Sequence, residues 1–543
     1  MLTRRRFVRN TAVTSAALAA YPPLMRNALG QAAASGSPLR LAVIGNVYRR
    51  GSHFQTIADR FMVGFPYQGD WHMPNVQVVS AYIDQRVRMT DARPTEFDMA
   101  LSGGQRPGGG GGGGGGQRPA AAAAAGAAGA AGAAAGAAGA AGAAGAGGGR
   151  GQRAAGAAGG TAGAPGAAGG AAGAGALGAG GGQRGAGAAA GLQPLEVLGP
   201  TTDLSQSRAT QFGFRIYPNV QAALRCGTDR IAVDAVLSIF EQGGDYPYPV
   251  NSKGQALVPS YDFFQQCAQV FEEEKHAVPY FTHRALSFSF ADAQNMVKTA
   301  ERLKFPLMAG GSMPVTWRLP DIDVPLGTQV QEAVMVGPSG YRGSEYEALE
   351  AMQSMLERRK GGETGVKAVQ VLEGDDVWVA QKAGRWSNDL MSSALSRSDT
   401  PLGLTVLDGR TQDLAAPGVL QQLVPNPIAY CIEYTDGTKA TLLVLDGAIQ
   451  DYNISVRVAG HGLVATQFFM TPDPNEAYSA CLAGKIEQMY TTKTAPYSIQ
   501  RTLLTTGIME AAVNSRHRLN VSVATPHLAI SYPAPAESQY ART

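Results

Sequence analysis

The sequence predicts an α/β fold: a Rossmann-like parallel-sheet domain followed by an α+β domain with a large open mixed/antiparallel sheet. An apolar run over residues 41–44 ends in Gly45, and a helix-compatible segment follows from about Ser52 to Phe61, as at the start of a βα unit. Strand and helix patterns then alternate as far as Gly310, which predicts a parallel sheet with helices on both faces. Beyond Pro314 strand patterns predominate, and they predict the second domain.

The first 34 residues are expected to be an export signal. Residues 3–9, Thr-Arg-Arg-Arg-Phe-Val-Arg, resemble the twin-arginine pattern, and an apolar stretch at 12–20 precedes small residues at 28–34. The alternative is a basic N-terminus without a role. We expect export by the twin-arginine route, to the periplasm or the extracellular space.

The first domain is expected to comprise residues 35–102 and 192–312. Its second strand, over residues 76–84, ends at Asp84, and residues 65–74 are expected to form an insertion or an extended loop. The remaining elements are predicted from apolar periodicity: helices at 218–224, 261–275 and 289–304, and strands at 39–44, 230–240, 278–281 and 305–310.

A Gly/Ala-rich tract interrupts the first domain at residues 103–191. It contains too few apolar side chains to offset the entropy lost on ordering, so we expect a disordered insertion. We assign it no catalytic role.

The second domain is expected to comprise residues 313–543, with its last helices returning towards the first domain. Residues 435–438, Thr-Asp-Gly-Thr, predict a hairpin turn. An open face of its sheet would favour a homo-oligomer. The predicted helices are 346–359, 475–490 and 499–516, and the predicted strands are 330–336, 366–372, 428–434, 440–445 and 456–458.

Composition excludes several functions. A net charge of +3 is too mild to indicate a nucleic-acid partner, and no basic patch interleaved with aromatic residues occurs. No apolar run reaches the roughly 20 residues of a membrane helix, so stable membrane insertion is not expected. The four cysteines lack Cys-x-x-Cys spacing and are expected to be buried free thiols.

Several segments together resemble the Gfo/Idh/MocA-type oxidoreductases, as a divergent exported member. The segments are Val278–Ser287, Leu307–Gly310, Met313–Pro320 and Pro496–Leu504. The resemblance implies hydride transfer between NAD or NADP and a sugar or sugar-derived substrate.

The catalytic residues implied by the resemblance are altered. Where the family has Glu-Lys-Pro, this chain has His283-Arg284-Ala285, and the family's catalytic histidine falls at Glu347. Arginine stays protonated and cannot replace a lysine that transfers a proton, whereas histidine titrates in the required range. We therefore predict His283 as the acid/base, with Arg284 and Glu347 beside it. The alternatives are an interdomain ion pair for His283 and Arg284 and a first-turn helix acid for Glu347.

The cofactor and substrate residues follow from the same comparison. The turn departs from Gly-x-Gly-x-x-Gly because Val47 stands two after Gly45 and Gly51 comes too late. The helix after Gly45 is nevertheless expected to hold the pyrophosphate, and Asp84 the ribose hydroxyls, although Asp84 lies about 40 residues after Gly45 instead of about 20. The predicted cofactor residues are Gly45, Asn46, Gly51, Asp84 and Glu241, and the predicted substrate residues are Asp245, Tyr246 and Arg318.

These cofactor and substrate residues also have simpler interpretations. Asp84 fits a strand-end turn, and Glu241 and Asp245 fit solvated loop residues. Arg318 fits an interdomain salt bridge.

Other chemistry is not indicated. The histidines show no spacing typical of metal ligands, so no metal is expected, and no Gly-x-Ser-x-Gly elbow of a hydrolase is present near a strand end. Two hypotheses remain open. One is an exported NAD(P)-dependent oxidoreductase, and the other is an inactive relative that serves as a carbohydrate-binding or scaffold protein.

Overall fold

The computed structural model describes residues 37–67, 69–84, 203–240, 248–339, 345–401, 413–471 and 477–542. These residues belong to one compact unit. The predicted export signal, the Gly/Ala-rich tract and the predicted site residues Glu241, Asp245 and Tyr246 lie outside the described residues. Predictions about them stay predictions.

The first sheet is parallel throughout and has the order β5-β4-β1-β6-β7-β8. Leaving out a small hairpin, this is the order 3-2-1-4-5-6 of dinucleotide-binding sheets. The Rossmann-like prediction is thereby confirmed from the topology itself. The strands are Leu39–Gly45 (β1), Val76–Ile83 (β4), Arg215–Ile216 (β5), Ala235–Ile239 (β6), Tyr280–His283 (β7) and Leu307–Ala309 (β8).

Helices cover this sheet, and three of the six that the structure describes begin with a side-chain cap. Asn219 and Ser289 accept hydrogen bonds from backbone amides at the starts of α4 and α6. The helices are His53–Ala58 (α1), Arg60–Val63 (α2), Ser205–Phe212 (α3), Val220–Arg225 (α4), Ser260–Glu274 (α5) and Phe290–Leu303 (α6).

The structure refines the local predictions in this layer. The strand predicted over 230–240 is confined to Ala235–Ile239, and the insertion or extended loop predicted over 65–74 is an insertion that contains the hairpin Phe65–Tyr67 (β2) and Asp70–His72 (β3). The helix Ser205–Phe212 was not predicted, because its apolar face contributes only Ala209 to the core.

The second sheet has eight strands in the order β16-β11-β12-β13-β10-β14-β15-β9. Its pairs are antiparallel except β10 with β13, so the prediction of a mixed sheet is confirmed. The predicted turn at 435–438 joins β12 to β13 as a hairpin. The strands are Arg318–Leu319 (β9), Val330–Gly337 (β10), Val366–Glu373 (β11), Ile428–Tyr434 (β12), Lys439–Val444 (β13), Tyr452–Val458 (β14), Gly462–Phe468 (β15) and Val523–Ala524 (β16).

Helices pack on both faces of this sheet. Glu345–Leu356 (α7) and Ile499–His517 (α12) cover one face, and α12 also contacts α6 and β8 of the first layer. Ser479–Thr492 (α11) packs against α1, and its Tyr490 hydroxyl donates a 2.8 Å hydrogen bond to the Val236 carbonyl. The last two helices therefore join the two layers.

The other face of the sheet carries a separate apolar cluster. Val334, Val336 and Leu443 pack there against side chains of three short helices. These helices already cover the central strands on this face of the sheet. A homo-oligomer formed through the sheet stays a prediction. The three helices are Asp375–Lys382 (α8), Asn388–Leu395 (α9) and Val419–Leu423 (α10).

Two sequence-based predictions concern the cysteines and membrane-spanning helices. All four cysteines are unpaired; three are buried and Cys226 is half-buried. No helix in the described part of the chain combines the length and the hydropathy of a membrane span.

Candidate functional site

The carboxyl edge of the first sheet brings together several of the predicted residues. Gly45 lies in register with Ile239 of β6, and Ile239 lies in register with His283 of β7. Gly45 and His283 therefore lie two strands apart at the same edge, a separation of about 10 Å. On the other side of β1, the Asp84 amide donates a 2.9 Å hydrogen bond to the Gly45 carbonyl. The expected crevice edge thus carries Asp84, Gly45 and His283 in that order.

Gly45 is a glycine because its surroundings are crowded. A Cβ atom on it would lie 2.3 Å from the Ile239 carbonyl oxygen and 2.7 Å from the Phe54 ring. The four residues that follow it are buried, and the Tyr48 ring packs on Phe54 with its hydroxyl on Asp59. Tyr48 thus belongs to the apolar layer beneath the turn.

The two other predicted cofactor residues at this turn are engaged within the protein. The Asn46 side-chain amide donates a 2.6 Å hydrogen bond to the Tyr248 hydroxyl, and the Gly51 amide donates a 2.6 Å bond to Gln55 Oε1. Ser52 caps α1 by accepting from the Gln55 amide at 3.2 Å. The spacing Ser52-x-x-Gln55 is a capping-box pattern visible in the sequence. Because of it, the Gln55 amide in the first turn of α1 and the Gly51 amide before the helix already have side-chain partners.

A cluster of polar side chains lies where β7 ends. His283 Nε2 is 3.9 Å from Glu347 Oε1, and Arg284 Nε is 3.5 Å from the same oxygen. The ring centroids of His53 and His283 are 4.8 Å apart. The three predicted catalytic residues are thus brought together, and His53, at the first position of α1, joins them.

Two glycines allow the helix α7 to approach this edge. A Cβ atom on Gly311, just after β8, would lie 2.5 Å from Cγ and Cδ of Glu347. A Cβ atom on Gly310 would lie 2.6 Å from Glu350 Oε1, and the Gly310 φ of +132° favours glycine as well. The pair Gly310-Gly311 is therefore needed for both carboxylates to pack against the end of the sheet.

Burial controls the charge of the central histidine. The His283 side chain is 1% exposed, and its Nδ1 atom has no hydrogen-bond partner. Burial, followed by the nearby His53 and Arg284, lowers the pKa of His283 well below its usual value. The imidazole is consequently neutral near pH 7 and offers a lone pair.

Arg318 lies elsewhere. Its guanidinium pairs with Asp323 at 2.7 Å and lies 4.1 Å from the centre of the Tyr540 ring. It also reaches Ser354, which is two turns along α7 from Glu347, or about 10 Å. Burial lowers its pKa, although Asp323 opposes that shift. The predicted substrate role for Arg318 therefore gains no support from its contacts, which are local and structural.

His53, Gly311 and Glu350 were not predicted from the sequence. His53 does not lie at a spacing from other histidines that is typical of metal or catalytic motifs. The pair Gly310-Gly311 directly after a buried strand was an available signal, since adjacent glycines there indicate close approach by another element.

Comparison with known proteins gives structural matches only. No family model matches the chain, and no curated protein does. The solved myo-inositol 2-dehydrogenase from Lactobacillus plantarum matches with a TM-score of 0.39 at 9% identity, covering 90% of this chain and 99% of that chain.

Two further solved structures cover less of this chain. Myo-inositol dehydrogenase from Lactobacillus casei, in complex with NAD(H) and myo-inositol, has a TM-score of 0.34 at 12% identity, over 59% of this chain and 85% of its own. Aldose-aldose oxidoreductase from Caulobacter crescentus, complexed with glycerol, has a TM-score of 0.34 at 14% identity, over 59% and 88%.

These matches are inositol dehydrogenases and related oxidoreductases, the type of protein that the sequence resembles. With TM-scores below 0.5 they carry no argument about the activity of this chain. Its Rossmann-like fold is established by the strand order and register described above.

Proposed function

We propose that this protein is an oxidoreductase that binds NAD or NADP and acts on a sugar or a sugar-derived molecule. One observation carries the proposal: a sheet of dinucleotide-binding order has Asp84, Gly45 and the His283–Glu347 cluster along a single carboxyl edge. In such sheets ligands bind beyond the carboxyl ends of the strands, at the point where the strand order reverses.

Fewer residues are assigned to the cofactor than the sequence suggested, and Asp84 is the main one. Asp84 is exposed at the end of β4, where Oδ1 accepts a 3.0 Å hydrogen bond from the Tyr82 hydroxyl. Oδ2 accepts no hydrogen bond from the described residues and is suited to the ribose hydroxyls. A carboxylate there repels the 2′-phosphate of NADP, which favours NAD. The nicotinamide supplies a hydride acceptor when the cofactor is bound. Because Gly51 and Asn46 are engaged internally, we assign no pyrophosphate contact to them.

The polar cluster is suited to a hydroxylated substrate. Neutral His283 can accept a proton from a hydroxyl, and the Glu347 carboxylate can accept hydrogen bonds from its neighbours. Arg284 keeps its charge and can orient a substrate oxygen, but it cannot exchange a proton near neutral pH.

Replacing Asp84 with Ala should weaken NADH binding about 10- to 100-fold, because hydrogen bonds to a charged group contribute about 1.5–3 kcal/mol. The loss for NADPH should be smaller, since the variant no longer repels the 2′-phosphate. Fluorescence titration of the purified chain measures both constants. Asp70→Ala, at an exposed position on the β2–β3 hairpin, is the matched control and should change neither. If a folded parent binds neither nucleotide, the proposal is wrong.

A second candidate is an inactive relative with a sugar-binding cleft. The internal hydrogen bonds of Asn46 and Gly51 favour it, because they leave fewer amides for a pyrophosphate. If this second candidate is correct, the affinity of the chain for a sugar, measured by calorimetry, is the same with and without NAD. A sugar affinity that depends on bound cofactor would contradict it.

We also propose export through the twin-arginine route, from the pattern Arg4-Arg5 followed by Phe7. Replacing Arg4 and Arg5 with Lys should abolish export while leaving intracellular accumulation of the full-length chain. Fractionation of cells that express the complete sequence measures this. Arg9→Lys, outside the arginine pair, is the control and should be exported normally.

A further inference from the structure

The cluster at the end of β7 has the composition of a metal site. One ligand atom from each of His53, His283 and Glu347 lies within 4.8 Å of the other two. Among the described residues, this is the only group of three or more such side chains found at that separation. The three come from α1, β7 and α7, so the fold, and not a local sequence motif, brings them together.

The three ligand atoms lie within 4.8 Å of one another, so the triangle is wider than that of a bound cation by at most about 1.4 Å on an edge. Two ligands at about 2.1 Å from a tetrahedral metal lie about 3.4 Å apart. His283 Nε2 and Glu347 Oε1 are 3.9 Å apart, so this edge of the triangle needs to close by about 0.5 Å. Side-chain rotation alone can supply such a movement.

A second observation points to a ligand. The side chains of His283 and Glu347 are 1% and 8% exposed, yet His283 Nε2 and Glu347 Oε1 are 3.9 Å apart, which is too far for a direct hydrogen bond. Two buried polar groups that face each other at this distance leave room for a cation that both can bind.

We propose that His53, His283 and Glu347 bind a divalent transition-metal cation such as Zn²⁺, which holds a substrate oxygen at its open position. Two imidazoles and a carboxylate are ligands that Zn²⁺ and its neighbours in the first transition row accept. Three protein ligands leave a fourth position free, as in catalytic zinc sites.

This inference rests on the proposed function and changes one role within it. His283 would then hold the cation instead of accepting a proton. The cation would polarise the substrate hydroxyl, and the hydroxyl proton would pass to water while the nicotinamide accepts the hydride.

The charge of Arg284 affects the affinity of the cluster for a cation. Its Nε atom lies 3.5 Å from the Glu347 oxygen that would bind the metal, so its charge opposes the cation. Removing the arginine charge should therefore strengthen binding.

The test uses the full-length chain after treatment with EDTA and gel filtration, in the absence of nucleotide. Calorimetry with Zn²⁺ should show about one equivalent bound, and Co²⁺ should give visible absorption bands typical of four ligands. His53→Gln and Glu347→Gln should each weaken Zn²⁺ binding at least about tenfold, while Arg284→Met should tighten it. His276→Gln, at an exposed position, is the matched control and should leave binding unchanged.

The outcomes separate this inference from the proposed function. Circular dichroism and thermal unfolding verify that each variant is folded. A folded parent that binds none of Zn²⁺, Co²⁺ and Mn²⁺, or that binds them equally in His53→Gln and Glu347→Gln, overturns the metal site. NADH binding by the metal-free parent tests the proposed function on its own, so either result can fail without the other.

Discussion

Replacing Glu357 with Leu is expected to lower the free energy of unfolding by about 3–5 kcal/mol, because it leaves a charged arginine buried without its partner. Glu357, just after α7, receives two hydrogen bonds from Arg501 of α12, one of them 2.9 Å from Nε to Oε2. The side chains of Glu357 and Arg501 are 1% and 3% exposed. The Tyr532 hydroxyl donates a further bond to Glu357 at 3.1 Å, and Arg501 lies 4.5 Å from the centre of the Tyr497 ring. This pair fixes the helix that joins the two sheets.

A double-mutant cycle distinguishes pairing from simple packing. Arg501→Met combined with Glu357→Leu should cost less than Glu357→Leu alone, since no buried charge is then left unpaired. Urea unfolding followed by tryptophan fluorescence gives the values. The exposed pair Arg302–Glu272, with side chains 59% and 43% exposed, is the control, and Glu272→Leu should cost less than about 1 kcal/mol. Additive effects of the two buried substitutions would contradict the prediction.

Most of the first sheet could be predicted because its signal is local. Its strands contain short apolar runs such as Leu-Ala-Val-Ile at residues 41–44, and its helices alternate with them, so the parallel order follows from the rules of chain connection. The first and last residues of the strands and helices were harder to predict from the sequence. Residues 230–234 are apolar enough to resemble strand, but Ala232 instead donates its amide to the Leu224 carbonyl at the end of α4. This hydrogen bond to α4, which the apolar pattern does not reveal, excludes residue 232 from the strand.

The site was predictable only in part, for the same reason. His283 and Glu347 could be found because each occupies a position with a role in the family that the sequence resembles. His53 could not, because it meets His283 only after α1 has packed beside β6. The engagement of Gly51 by Gln55 was visible as a capping pattern, and it removes one of the amides expected for a pyrophosphate.

Glu350 is expected to contribute a fall of about 3 kcal/mol in the free energy of unfolding as the pH rises from about 4.5 to 7, whereas His283, whose pKa is lowered by burial, contributes in the opposite direction. Burial raises the pKa of Glu350 to about 7, against the opposing effects of the Gly311 amide, Arg501 and Thr502. Glu347 raises it further, and Tyr346 and Tyr497 also face this carboxyl. The folded chain therefore keeps a proton that the unfolded chain loses above pH 4.5. The contribution of Glu350 to stability is greatest below that value, declines through the interval and is constant again above about 7.

Replacing Glu350 with Gln should remove this part of the pH dependence. The variant carries no charge in either state, so its unfolding free energy relative to the parent should improve by about 3 kcal/mol between pH 4.5 and 8. Thr502→Val removes a 2.9 Å hydrogen bond to the carboxylate and should extend the decline to higher pH, because the ionised form loses a donor. Urea unfolding of the parent and both variants across this range measures the differences. Parallel curves for the parent and Glu350→Gln would show that Glu350 is ionised in the folded protein. The close approach of α7 through Gly310-Gly311 would then carry two charged carboxylates at the edge of the sheet, with Arg501 and Arg284 as their counterions.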